Sequence, residues 1–143
     1  MAIAYGVAGK GEKADRLIVK ESSFEGSDPT VESQIVSLKA SDADTFYDLA
    51  AGKFASQAIR KASEIGWKPL HFLFYGSQSI SAVLQPAGLE NSVGIISAQF
   101  FKDPTDPQWA NDANTREFLA WLEGYYPGGK ASEIFVYAGY MYA

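Results

Sequence analysis

Apolar residues follow two spacings along the chain, one of about two residues and one of about three and a half, and the two take turns. Residues 17–24, LIVKESSF, open with a β-branched apolar run and predict a strand, closed by the turn-forming Glu25, Gly26, Ser27 and Asp28. Asp28 followed by Pro29 has the form of a helix cap and first helical residue, and Val31, Ile35 and Leu38 then recur at helical spacing, which predicts a helix over 29–40. A short aromatic strand is expected over 45–50. A second helix follows, with Phe54, Ala58, Ile59, Ala62 and Ile65 on one face and Gly66 as its stop. Residues 69–76, PLHFLFYG, form a near-continuous apolar run, the pattern of a strand covered on both faces of a parallel sheet. A short helix is expected over 77–84, a further strand in VGIISAQFF, and a last helix over 115–126 with Phe118, Leu119, Leu122 and Tyr125 on one face.

Strands that alternate with helices at this spacing predict right-handed βαβ crossovers, so the fold class is α/β: a parallel sheet with helices on both faces. The whole of 1–143 is expected to form a single α/β lobe. In such sheets ligands gather outside the carboxyl ends of the strands. Those ends are Asp48, Leu49 and Ala50 after one strand, and Tyr75, Gly76, Ser77 and Gln78 after the next, where a buried run gives way to hydroxyl and amide groups. These residues are the candidate ligand contacts.

Composition narrows the partners. A net charge of −5 supplies no basic stripe for a phosphate backbone, so no nucleic acid is expected, and no apolar run approaches the roughly 20 residues of a membrane span, so no membrane insertion is expected. There is no cysteine, which removes disulfides, thiolate nucleophiles and cysteine metal sites. His71 is the single histidine, inside a buried strand and without acidic or histidine residues at ligand spacing, so its role is read as structural and no metal, cofactor or catalytic residue is assigned. YGSQS lacks a nucleophile elbow, and GVAGKGEK lacks both the dinucleotide fingerprint and the full phosphate-loop pattern. The start, MAIAYGVAGKGEKADR, has no signal-peptide form.

Several separate motifs stand in one order: Asp28-Pro29 with Gln34-Ile35, Ala58-Ile59-Arg60-Lys61 with Gly66, Ala87-Gly88-Leu89-Glu90 with Gly94, and Lys102-Asp103-Pro104-Thr105-Asp106-Pro107. In that order the chain resembles the branched-chain amino acid and amide solute-binding proteins of ABC transporters, which are type I periplasmic binding proteins, and it resembles their second lobe only. The resemblance implies a ligand-binding lobe for a small amino acid, amide or carboxylate, an ABC permease as partner of the complete protein, and a periplasmic location. Where some relatives place an acid to hold a ligand ammonium, Tyr75-Gly76-Ser77 offers hydroxyls, and Asp48 is the neighbouring source of negative charge. Set against the family's lobe, the first βα unit is expected to be abbreviated and the C-terminal hinge region truncated, which makes the chain resemble a fragment. The aromatic tail Ile134, Phe135, Val136, Tyr137, Tyr140, Met141 and Tyr142 would then lack a partner, and a homodimer is expected. The alternatives are a small α/β enzyme using His71 with Asp48 as an acid–base pair, and a self-associating interaction module.

Overall fold

The computed structural model describes residues 2–4 and 17–142. The expectations for 5–16, the abbreviated first unit and the phosphate-loop-like run, lie outside the described residues. The chain forms two compact units, Met1–Gln78 with Ala82–Ala98, and Ser79–Ser81 with Gln99–Ala143.

The first unit is α/β. Strands β3 (Thr45–Asp48), β4 (Leu70–Leu73) and β5 (Ile96–Ser97) pair in parallel in that order, with Thr45 opposite Leu70, Asp48 opposite Leu73 and Phe72 opposite Ile96. A separate antiparallel ribbon joins β1 (Ala2–Ala4) to β2 (Lys20–Ser22). Helices α1 (Glu32–Lys39) and α2 (Lys53–Glu64) supply the core with Ile35, Leu38, Phe54, Ala58, Ile59 and Ala62, which pack with Phe46 and Leu73 of the sheet. Alternation along β3 fixes this arrangement: Phe46 and Asp48 are buried, whereas Thr45 and Tyr47 are only half-buried. On β4, likewise, His71 and Leu73 are buried while Leu70 is 50% exposed.

The stop at Gly66 forms as expected. Its φ of +66° lets its N–H reach Ser63 O at 2.9 Å while Trp67 N–H reaches Ala62 O at 2.8 Å, the paired bonds that close a helix through a left-handed residue. The start of α1 differs from expectation. Asp28 does not cap it: its carboxylate accepts the Glu25 N–H at 2.9 Å, closing the preceding turn, and the helix begins at Glu32 with Val31 before it. The same carboxylate chemistry suits a turn or a cap, and a bond three residues back closes the turn here. Residues expected as one helix over 77–84 divide into a tight turn at Tyr75–Ser77, a wider helical turn at Ile80–Leu84 and the three-residue α3 (Gln85–Ala87).

In the second unit, α4 (Ala113–Tyr125) starts on a real cap, with the Asp112 side chain accepting Thr115 N–H at 3.0 Å. Phe118 and Leu122 are buried, but Leu119 is 37% and Tyr125 80% exposed, so the apolar face is narrower than the sequence pattern suggested. The helix α5 (Ile134–Tyr142) packs on it. Tyr137 is 2% exposed, its ring 4.9 Å from that of Phe118, and Tyr140 lies 5.3 Å from Phe118 and 5.1 Å from Trp121. The tail expected to lack a partner therefore has one for Tyr137 and Tyr140, within its own unit. The side chains of Ile134, Phe135 and Tyr142 lie outside the described residues.

Candidate functional site

Parallel pairing in register sends the chain out of β3 and β4 at the same edge of the sheet, so loops 48–51 and 75–78 emerge side by side. Hydrogen bonds lock them together. Asp48 is fully buried, and its Oδ1 accepts the Ala50 N–H at 2.9 Å, folding the chain back on itself just beyond the strand. Ala50 O in turn accepts the Ser77 hydroxyl at 2.7 Å, which bridges one loop to the other, and Ser77 N–H closes its own turn on Phe74 O at 2.9 Å. Ser77 is also fully buried. At Gly76 a Cβ would stand 2.6 Å from the Phe74 ring, so a side chain there would require that ring to move.

The seven candidate contacts fall into three groups. Asp48, Ala50 and Ser77 are buried and brace the loops; Leu49 is 38% and Tyr75 46% exposed, and both face solvent. Gly76 and Gln78 are half-buried, and the Gln78 Nε2 is a buried donor with no hydrogen-bond partner among the described residues. Beside Leu49 lies an apolar groove of about 330 Å³, walled by Tyr47, Phe72, Phe74 and Ile96. The Tyr47 and Phe72 rings stack at 4.7 Å and 16°. These wall residues were missed in the sequence because their run looks uniformly buried; the signal was strand alternation, which puts Tyr47 and Phe72 on the face opposite Phe46 and His71.

Pairing of β3 with β4 also brings His71 to Asp48. The imidazole Nε2 lies 3.5 Å from Asp48 Oδ2, and neither atom has a hydrogen-bond partner among the described residues. The His71 ring packs 4.6 Å from that of Phe46. No sequence spacing shows this approach, since the two residues meet only through the register of two strands. Asp48 is 0% exposed, so its carboxylate has no surface open to a substrate. Among the described residues no group of three or more His, Cys, Asp or Glu could hold a metal ion, and no helix is long and apolar enough to cross a membrane.

A family model described as periplasmic binding protein matches residues 6–143, and the chain belongs to that family. A search of curated proteins and a search of solved structures found no match. Proteins of this family are periplasmic and bind small-molecule solutes, and the parallel three-stranded sheet with its helices is consistent with an α/β lobe of that family.

Proposed function

We propose that the chain is a ligand-binding lobe of an ABC-transporter solute-binding protein, taking a small amino acid, amide or carboxylate at loops 48–51 and 75–78 and passing it to a permease in the periplasm. The observation that carries this reading is the pair of loops fastened by the Ser77–Ala50 bond, with Leu49 at an aromatic groove and Tyr75 exposed on the neighbouring loop. A braced loop presents its side chains without an ordering cost at binding, which is what a capture site needs. No chemical step belongs to this role. Hinge closure over the solute is assigned to a second lobe, so the chain alone should hold its ligand weakly, with a dissociation constant in the millimolar range. Isothermal titration against a panel of amino acids, their amides and aromatic acids tests the reading. Expected is a weak saturable heat from a panel member that falls on Tyr75→Ala; no saturable heat from any member, or tight binding indifferent to Tyr75, overturns it.

The 3.5 Å approach of His71 to Asp48 favours the rival reading, an acid–base enzyme. That reading requires an activity lost on His71→Ala with the fold intact. The burial of Asp48 weighs against it.

A further inference from the structure

At the amino ends of β4 and β5, the opposite end of the sheet from the strand-end loops, lies a second cleft of about 360 Å³. That volume is within the range of small-molecule sites. His71 forms part of its lining; only 7% of the residue is exposed, and its Nε2 is turned to Asp48. The rest of the polar lining is held in place. Ser63 Oγ donates to Asn91 Oδ1 at 2.7 Å, and Asn91 Nδ2 donates to Ala87 O at 2.8 Å. Trp67 is fixed by its indole N–H on Ala43 O at 3.2 Å and by its ring 5.1 Å from Phe46.

The chemistry of this lining selects a ligand class. Lys68 brings a positive charge and Glu90 a negative one, so a ligand carrying net charge of either sign would meet one of them unfavourably. Donors and acceptors are mixed: Lys68 only donates, Glu90 only accepts, Ser63 Oγ, its proton given to Asn91, can still accept, and Asn91 keeps one N–H to donate and a lone pair on Oδ1 to accept. The His71 Nε2 is directed at the Asp48 carboxylate, so the polar contacts this cleft offers rest on Lys68, Glu90, Ser63 and Asn91. A hydroxyl both donates and accepts, so a molecule carrying several hydroxyls satisfies such a set, and the Trp67 ring supplies an apolar surface for its C–H face. We infer that this cleft is a second binding site, separate from the strand-end loops, for a small uncharged polyhydroxylated molecule the size of a monosaccharide or cyclitol.

His71 is the single histidine and lines this cleft, so its Cε1–H gives one resolved resonance there, and because its Nε2 also approaches Asp48 the Tyr75→Ala variant is the control for the strand-end loops. The experiment titrates the full chain with glycerol, D-glucose and myo-inositol up to about 50 mM and follows the His71 Cε1–H signal by NMR, with acetate and methylammonium as charged controls. Expected is a saturable shift with at least one cyclic polyol, weakened at least about fivefold by both Glu90→Gln and Asn91→Ala, with the amide spectrum otherwise retained. Glu90 is exposed and its substitution is not expected to disturb folding. The inference is overturned if none of the three polyols gives a saturable shift, if a charged control binds more tightly than all of them, or if the shift is unchanged in both variants. Tyr75→Ala, which tests the strand-end site, should leave this signal's response intact, so the two proposals fail separately.

Discussion

The two units of the chain bury their apolar groups by different routes. In the α/β unit the core is spread over many side chains, small and large, from helices and sheet: Ile35, Leu38, Ala58 and Ile59 share it with Phe46 and Leu73. In the helical unit, Phe118, Leu122 and Tyr137 are the buried apolar residues among those whose side chains are described, and the aromatic rings of Trp121, Tyr137 and Tyr140 gather around Phe118. A distributed core loses a fraction of its contacts when one side chain is cut back, whereas a core centred on one ring loses most of them. Low redundancy, rather than low burial, should therefore make the helical unit the more fragile.

Two truncations sharpen that contrast most strongly. Phe118→Ala and Phe46→Ala each remove a fully buried ring, worth roughly 3–5 kcal/mol in a well-packed site. The expected outcome differs in kind. Phe118→Ala should abolish the cooperative unfolding of its unit, seen in Trp121 fluorescence, while Phe46→Ala should shift the Trp67 transition and leave it cooperative. Denaturant unfolding in backgrounds that retain Trp67 or Trp121 alone makes the measurement. If both variants move both signals equally, the two units do not differ in the way proposed. The same logic changes what removal of the tail would report: a chain ending at Ala131 lacks Tyr137, so it should lose the helical unit's fold before it says anything about a dimer, and light scattering on the intact chain is the cleaner test of self-association.

A smaller effect is expected inside the α/β unit, at the brace of the strand-end loops. Asp48→Ala removes the acceptor of a buried N–H and should cost about 1–3 kcal/mol, whereas Asp48→Asn keeps an oxygen at that position and should cost clearly less. Both are read from the denaturant midpoint with Trp67 as probe. Equal losses in the two variants would mean that the carboxylate's approach to His71, and not its bond to Ala50, is what the fold uses.

These residues also mark how far the sequence could be read. The helix ending at Gly66 and the strands around Phe46 and His71 were legible because short-range chemistry specifies them: apolar spacing, a left-handed glycine, β-branched and aromatic runs. Loops 48–51 and 75–78 are legible as strand ends, but the bond from the Ser77 hydroxyl to Ala50 spans 27 residues and no local pattern encodes it. The approach of His71 to Asp48 depends in the same way on strand register. Tyr137 and Tyr140 looked like an exposed tail because their partners, Phe118 and Trp121, lie well upstream on another helix. Asp28 illustrates the opposite problem, a strong local motif with two physical uses, of which the turn prevailed.

The smallest effect concerns charge, and it separates the units by pH. The Lys102 ammonium, 2.6 Å from Asp112 Oδ1, and then the Thr115 N–H at the start of α4 hold the Asp112 carboxyl below its ordinary value of 3.8. A carboxyl lowered on folding contributes stability that is complete above the unfolded value and disappears as pH falls through the lower folded one. Acid should therefore weaken the helical unit from about pH 4 downward, and Asp112→Asn, which keeps an oxygen to cap the helix but cannot titrate, should flatten that part of the curve. Asp106, lowered by the N–H and side chain of Gln108, titrates in the same window, so Asp106→Asn serves as the matched control. In the α/β unit the Lys61 ammonium, held above 10.5 chiefly by its bond to Glu32, gives the reverse dependence, a contribution intact below that value and lost as pH rises through the higher folded one. Thermal melts followed by Trp121 and by Trp67 across both limbs make the test. An acid limb in the Trp121 signal that persists unchanged in Asp112→Asn would show that the Lys102–Asp112 contact does not stabilise the start of α4.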